Sequence, residues 1–305
     1  MAKTTIEDIL IYFYPVIFVM GTIGGILSFI IFSRKRFQNT IFSTYYRLLN
    51  IVDILALLSV LFVFIQDKAK LDHLQNFNLF CKMLPAIYYI TPSISAWSVV
   101  IISFDRFLSV TMPTKFKFRK KFSYQMIVCF CVILANFLYY VKLIFSEIKI
   151  DKLQLFNISI DYEPECVYGI SNEILIWMDF IGSAILPFFF MILFTILTLW
   201  SIHKSRNKVN SISHNTQVSI NIIKQKDYKF SITSISLSII FLMFNGPYAF
   251  FNILGEYLIM SSETYNLVIR VLLIFHYMNM ASVFYINVIF NSIFKEELLK
   301  LIKIN

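Results

Sequence analysis

The sequence predicts an all-α bundle of seven transmembrane helices, followed by a short amphipathic cytoplasmic helix. Of 305 residues, 58% are hydrophobic and 15% are charged, against about 45–50% and about 25% in soluble domains. Seven apolar runs are long enough to cross about 30 Å of hydrocarbon. Lys and Arg cluster in alternate connections between these runs, as expected for cytoplasmic loops. The net charge of +9 therefore reflects membrane topology, and we do not expect a nucleic-acid partner.

The seven apolar runs are best explained as helices, because lipid cannot satisfy open backbone groups. They lie at 9–33, 43–66, 79–110, 123–146, 174–201, 228–254 and 264–290. A β-barrel would require shorter alternating segments, and these are not evident. The predicted organisation is a short extracellular N-terminus (1–8), a seven-transmembrane domain (9–290), and a final cytoplasmic helix with a short tail (291–305).

Charge predicts the orientation in the plasma membrane. Lys and Arg dominate the connections after the first, third and fifth runs, whereas the loop 147–173 is rich in Asp and Glu. The N-terminus is therefore predicted outside and the C-terminus in the cytoplasm. The first run is longer than the apolar core of a cleaved signal peptide, so we expect a retained signal-anchor helix.

Two features of the predicted outer loops fit this orientation. The sequence Asn157-Ile158-Ser159 is a glycosylation sequon in the loop 147–173. Cys81 and Cys166 both fall outside, in a compartment where disulfides persist. A bridge between them would tie the outer loop to the start of the third helix. Cys129 and Cys131 instead fall within the fourth run, where small apolar roles are expected.

The third run carries the most informative motif. Ser103-Phe104-Asp105-Arg106-Phe107 stands at its inner end, and Arg106 follows Cys81 by 25 residues. Further motif residues, in order, are Asp53, Pro187, Phe241–Pro247 and Asn291–Lys295. This ordered set resembles the rhodopsin-like (class A) G-protein-coupled receptors over nearly the whole chain. The overall pattern is similar to invertebrate neuropeptide receptors.

Several departures from the family pattern indicate a divergent member. Gly24-Gly25 stands where Gly-Asn is usual in helix 1, and Phe107 replaces the usual Tyr. Asn245 replaces a Trp of helix 6, and Val283–Asn287 stands in place of the Asn-Pro-x-x-Tyr motif. None of these changes alters the predicted fold.

The resemblance implies a G-protein coupling switch at the inner end of the bundle. Arg106 would pair with Asp105 in the resting state. Asp227 precedes Pro247 by twenty residues, about 30 Å of helix, which corresponds to the position of an acidic partner for this Arg. Asp227 could instead be a solvated residue among neighbouring lysines. Pro187 and Pro247 are expected to kink helices 5 and 6.

The resemblance also implies an allosteric sodium or water site. Asp53 is a carboxylate near mid-membrane, which is costly unless it is partnered or protonated. Ser95 and Asn279 would be its neighbours. The alternative is a protonated Asp53 hydrogen-bonded to adjacent helices. Apart from a sodium ion at this site, we expect no cofactor.

The ligand pocket should lie between the outer halves of the helices. Tyr88 occupies the position where the family's amine receptors carry an Asp, so a biogenic amine is not expected. Candidate lining residues are Gln66, Tyr88, Tyr89, Asp179, Tyr248, Asn252, Arg270 and His276. Asp179 is the expected anchor for a cationic group. The aromatic residues and His276 could alternatively serve only in helix packing.

These observations predict a receptor that binds an extracellular cationic neuropeptide and activates a heterotrimeric G protein. Short alternating apolar stretches around Cys166 are compatible with a β-hairpin lid over the pocket. Arrestin and membrane lipid are further expected partners. A chemosensory receptor for a small molecule and a transporter remain as alternatives. We do not expect an enzyme, because the four histidines are scattered without metal-ligand spacing.

Overall fold

Within the part of the chain that the structure describes, seven helices are long and apolar enough to cross a membrane, as predicted. The computed structural model describes residues 9–38, 40, 42–69, 78–112, 117–145, 147–149, 152–155, 158–161, 165–167, 171–209, 217–255, 258 and 260–302. The membrane-spanning helices are α1 (Phe13–Phe32), α2 (Ser43–Ala69), α3 (Asn78–Thr111), α4 (Phe122–Tyr139), α5, α6 (Gln217–Leu254) and α7 (Ser262–Phe290). Helix α5 comprises Asn172–Asp179, a π-helical turn at Phe180–Ile185, and Leu186–Val209.

The shorter elements connect these helices. A single helical turn, Lys35–Gln38, joins α1 to α2, and 3₁₀ turns at Lys117–Lys120 and Val141–Phe145 flank α4. The predicted amphipathic helix after the last span is confirmed as α8 (Ser292–Ile302). Phe294 is completely buried, while Leu299 and Ile302 are exposed.

The predicted boundaries differ from the structure mainly at three helices, of which α5 ends at Val209, eight residues beyond its apolar run. Helix α4 ends at Tyr139 and continues as a 3₁₀ turn, although the apolar run extends to residue 146. Helix α6 begins at Gln217, eleven residues before its apolar run. Hydropathy marks the part of a helix that lies in lipid, so it does not detect a polar extension beyond the membrane.

Glycines in α1 allow two neighbouring helices to approach closely. A Cβ atom on Gly24 would lie 2.9 Å from the Cβ of Phe284 in α7, and one on Gly25 would lie 2.9 Å from Cγ1 of Ile54 in α2. The Gly24-Gly25 pair therefore has a packing role here: any larger residue would push α1 away from the bundle.

The described residues before α5 include four short strands. They are β1 (Glu147–Lys149), β2 (Lys152–Leu155), β3 (Ile158–Asp161) and β4 (Glu165–Val167). Strand β1 pairs antiparallel with β4, placing Ile148 opposite Cys166, and β2 pairs antiparallel with β3. These two ladders agree with the expected hairpin. Strand β1 also contacts α3, so the strands lie at the Cys81 end of the bundle, opposite the Arg106 end.

Candidate functional site

A narrow cavity lies between α3, α5, α6 and α7 in the middle of the bundle. Five predicted ligand-site residues line it: Tyr88, Tyr89, Asp179, Tyr248 and His276. Its volume is about 30 Å³, which gives room for about two water molecules. The cavity can accept the tip of a ligand, such as an ammonium group, but not a whole peptide.

Aromatic hydroxyls define one side of this cavity. The hydroxyl oxygens of Tyr88 in α3 and Tyr248 in α6 lie 3.0 Å apart. The ring of Tyr248 also contacts His276 of α7, with 5.1 Å between ring centroids. One hydrogen bond and one ring contact thus join three helices around the cavity, so a ligand that displaces Tyr248 would disturb all three.

Asp179 is held by two hydroxyl groups from its own and a neighbouring segment. The Tyr140 hydroxyl donates to Asp179 Oδ1 at 3.1 Å, and Ser183 Oγ lies 2.9 Å from the same oxygen. A carboxylate has about four acceptor positions, so Asp179 retains capacity for a ligand donor. Sequence reasoning missed Tyr140 and Ser183. One feature of the sequence could have indicated Tyr140: it places a hydroxyl near the end of the fourth apolar run, and the next run contains the acid Asp179.

Two unsatisfied polar atoms line the same cavity. Among the described residues, Asn245 Oδ1 and His276 Nδ1 are buried without a hydrogen-bond partner. Asn245 stands where the family usually has a Trp, and its smaller side chain leaves an amide facing open space. Buried polar atoms of this kind are normally satisfied by water or a ligand. The cavity therefore favours a group that can donate hydrogen bonds.

Two of the three predicted sodium-site residues line this cavity, and the third is hydrogen-bonded to one of them. Ser95 Oγ donates to Asp53 Oδ1 at 2.6 Å, and Ser95 and Asn279 both line the cavity. Within the described part of the chain, Asp53 Oδ2 is buried without a hydrogen-bond partner. An orphaned carboxylate oxygen in a group already bonded to a hydroxyl fits a small cation or a proton.

A buried polar network lies at the Arg106 end. Arg119 Nη1 donates to Asp105 Oδ1 at 2.8 Å, and both side chains are about 5% exposed or less. Gln125 Nε2 donates to the Arg119 carbonyl at 3.1 Å, while Thr44 donates to Gln125 Oε1. These bonds join α2, α3, α4 and the turn before α4.

Arg106 itself lies against an aromatic ring. Its guanidinium carbon is 4.0 Å from the centroid of Phe42, and both residues are about 5% exposed or less. Asp105, the partner expected for Arg106, has its carboxylate bonded to Arg119. Asp227 lies in α6, but its side chain is outside the described residues. In the sequence, Arg119 is distinguished only as an Arg among lysines, and no motif marks Phe42.

The remaining predicted residues have mixed outcomes. Pro187 is the second residue of the segment that follows the π-helical turn, and Pro247 lies inside α6. Cys81 is buried and disulfide-bonded, whereas Cys129 and Cys131 are free thiols. Asn252 and Arg270 are half-buried outside the cavity lining. The Gln66 and Cys166 side chains and the whole of Asn157 lie outside the described residues.

Comparison with known proteins places the fold and these motifs in one family. The profile of the family "7 transmembrane receptor (rhodopsin family)" matches residues 24–287. The N-arachidonyl glycine receptor of Rattus norvegicus is 28% identical over 120 residues, 38% of this chain and 35% of that receptor. The receptor of the same name from Homo sapiens is 29% identical over 104 residues, 33% of this chain and 30% of that receptor.

These similarities cover only part of the relatives. The chain spans about a third of the length of the curated relatives that it matches, so they do not define its ligand. The family profile, by contrast, covers all but the ends of the seven-helix bundle. The chain belongs to the rhodopsin family of seven-transmembrane, G-protein-coupled receptors.

Proposed function

We propose that this receptor binds a cationic neuropeptide at its Cys81 end and activates a heterotrimeric G protein at its Arg106 end. The observation that carries the ligand proposal is the Asp179 carboxylate, which lines the cavity. Its neighbours Tyr140 and Ser183 fix its orientation. A peptide ammonium or guanidinium could reach the carboxylate while the rest of the peptide stays outside the narrow cavity.

Charge outside the cavity supports a cationic ligand. The loop that contains β1–β4 carries five acids, Glu147, Asp151, Asp161, Glu163 and Glu165. An acidic entrance attracts cations and increases their rate of association. Glu173 adds a further exposed acid in the first turn of α5.

The orientation and outer-loop modifications belong to the same proposal. We infer a plasma-membrane receptor with its N-terminus outside, a glycosylated Asn157, and a Cys81–Cys166 disulfide. The disulfide is supported by the bonded state of Cys81 and the free state of Cys129 and Cys131. It is also supported by β1, which pairs with the strand of Cys166 and contacts α3. This bridge would fix the hairpin near the cavity entrance.

Signal transfer would require that ligand binding at the Cys81 end of the bundle changes the conformation of the Arg106 end. In the proposed switch, Arg106 is released in the active receptor and α6 moves about Pro247, with Asp227 as the acidic residue of α6 that the family pattern suggests. Such a two-state rearrangement opens a surface for the G protein. Arrestin would use the same open surface, and anionic lipid would contact the basic loops.

A sodium ion at Asp53 would stabilise the resting arrangement. Ser95, Asn279 and the free Asp53 oxygen are the residues that would hold it. The ion would supply a positive charge that compensates the buried carboxylate. The chain's own contribution is to orient that carboxylate through Ser95.

The experiment is a nucleotide-exchange assay on cells expressing the receptor, challenged with a neuropeptide library. We expect a peptide response that Arg106→Ala abolishes and that Asp179→Asn weakens at least tenfold in potency. Glu263→Gln, an exposed acid in the first turn of α7, is the matched control and should leave potency unchanged. With surface expression matched, full potency in Asp179→Asn would rule out Asp179 as the anchor.

A lipid ligand is the second candidate. The relatives are named for N-arachidonyl glycine, and a groove of about 440 Å³ faces the membrane between α3, α4 and α5. Its lining is largely apolar and includes Trp97, Cys131 and Ala135. A response to N-acyl amino acids that survives Asp179→Asn would favour this candidate over a cationic peptide.

A further inference from the structure

Phe42 occupies an unusual position for a residue of the first connecting loop. Its ring faces the Arg106 guanidinium at 4.0 Å, well inside the limit of about 6 Å for a cation–π contact. Because both residues are almost completely buried, water does not compete for the cation. Desolvated cation–π pairs are the strongest of their class.

Other aromatic rings fix the position of Phe42. Phe37 meets it nearly edge-on, with 6.4 Å between ring centroids, and Tyr46 does the same at 6.1 Å. Phe32 stacks on Tyr46 at 4.6 Å and contacts Phe294 of α8 at 5.2 Å. The ring that faces Arg106 is therefore supported from α1, α2 and α8.

The same aromatic cluster extends to a helix near the cavity. Phe294 contacts Phe284 of α7, with 5.9 Å between ring centroids, and α7 also carries His276 and Asn279 of the cavity lining. A displacement of the inner half of α7 would move Phe294 and, through Phe32 and Tyr46, the ring of Phe42. Packed aromatic residues thus connect the cavity region with the Arg106 contact.

We propose that Phe42 is a positioning residue that holds Arg106 in the resting receptor through this cation–π contact. The inference rests on the proposed G-protein coupling and extends it. Asp105 is bonded to Arg119, and the aromatic ring provides a second source of negative potential for the Arg106 cation. Weakening the ring's negative face shifts the receptor toward the state in which Arg106 is available to the G protein.

Fluorination of the Phe42 ring tests the contact with little change of volume. Each added fluorine withdraws electron density from the ring face and weakens its attraction for a cation. Receptors carrying 4-fluoro-, 3,5-difluoro- and 3,4,5-trifluorophenylalanine at position 42 are purified, and basal nucleotide exchange on purified heterotrimers is measured. We expect basal nucleotide exchange to rise with each added fluorine and to reach roughly five- to thirtyfold above wild type, the change that loss of one desolvated contact produces.

The matched control is the same series at Phe251, a half-buried ring that stacks on Tyr265 at the Cys81 end of the bundle. Basal exchange should stay flat across that series. A flat series at position 42 as well, with normal agonist-stimulated exchange, would overturn the role of Phe42 and leave the proposed function intact. Absence of exchange on every heterotrimer class from wild type would overturn the proposed function, and this inference with it.

A thermal double-mutant cycle examines the contact without any G protein. Melting temperatures are measured for Phe42→Leu, Arg106→Met and the double variant of the purified receptor. We expect the melting temperature of the double variant to fall by less than the sum of the decreases in the two single variants. Strict additivity would show that the two side chains do not interact and would overturn the proposal.

Discussion

At the scale of single residues, three carboxylates buried in the bundle, those of Asp53, Asp105 and Asp179, are held by hydrogen bonds from hydroxyl or guanidinium groups. The sequence predicts a role for Asp53 because a carboxylate near mid-membrane is costly, for Asp105 because it precedes Arg106 in the family motif, and for Asp179 because it could hold a cationic ligand group. Their partners Arg119, Ser95 and Tyr140 come from other elements. Of these, only Ser95 was expected, from the family resemblance. Which residue becomes the hydrogen-bond partner depends on how the helices rotate and cross. No local pattern in a single sequence indicates this rotation and crossing.

The Asp105–Arg119 pair leads to the first prediction. Removing one member of a buried pair leaves an uncompensated charge and costs about 3–5 kcal/mol. Arg119→Met should therefore lower the melting temperature of the purified receptor by several degrees. Arg119→Met with Asp105→Asn removes both charges and should recover much of that loss. An unchanged melting temperature in the single variant would show that the pair contributes no stability.

At the scale of elements, hydropathy predicted the seven helices well because lipid sets a minimum apolar length. The fold of the loop 147–173 was less determined: its alternation suggested a hairpin, but the pairing of β1 with β4 and β2 with β3 depends on register. The π-helical turn at Phe180–Ile185 was not predicted either. It ends two residues before Pro187, which lacks the backbone N–H needed for a regular helical bond.

Helix α1 provides the second prediction, because its glycines set the distance to α2 and α7. Gly24→Val would place a Cβ 2.9 Å from that of Phe284, and overpacking of this kind costs about 1–3 kcal/mol. We expect reduced surface expression and a lower melting temperature. Ile23→Val changes a neighbouring side chain that is 54% exposed on the lipid face and should have little effect. Equal stability of both variants would contradict the close packing of α1.

Salt bridges between side chains attach helix α8 to the segment after α1, and this gives a pH-dependent prediction. Glu297 accepts hydrogen bonds from Arg34 at 3.1 Å and from Lys300 at 2.9 Å. The hydrogen bond with Lys300 is the main cause that lowers the pKa of the Glu297 carboxyl below the ordinary 4.5, and the hydrogen bond with Arg36 lowers it further. A lowered folded-state pKa means that the stabilisation is present above pH 4.5 and is lost as the pH falls through the folded-state pKa.

The measurement is the mobility of a nitroxide label at the exposed Leu299. Mobility should stay constant from pH 7 to about pH 5 and rise at lower pH. Glu297→Gln should show the higher mobility already at pH 7. Glu296→Gln, whose side chain is 57% exposed, should change little, because exposed ion pairs contribute at most about 1 kcal/mol. Identical mobility of the label in Glu297→Gln and in wild type would show that the Glu297 carboxylate does not hold α8 in place.

At the scale of the whole molecule, the cavity and the Asp53 site share residues, so occupancy of one should affect the other. Ser95 bonds to Asp53 and also lines the cavity with Asn279. If sodium stabilises the resting receptor and an agonist stabilises the active one, each must lower the affinity of the other by the same factor. Typical coupling between two such sites is about 5–150-fold.

The last prediction is that replacing choline by sodium at constant ionic strength weakens agonist binding at least fivefold in wild type. Asp53→Asn keeps the size of the side chain and removes its charge, so agonist affinity should become independent of sodium. Asp179→Asn should weaken the binding of a cationic agonist in both salts but preserve the ratio between the two affinities, because the role proposed for this carboxylate is to contact the ligand and not the ion. A sodium effect that survives in Asp53→Asn would instead locate the ion elsewhere, and Asp53 would then be a buried acid neutralised by its own proton.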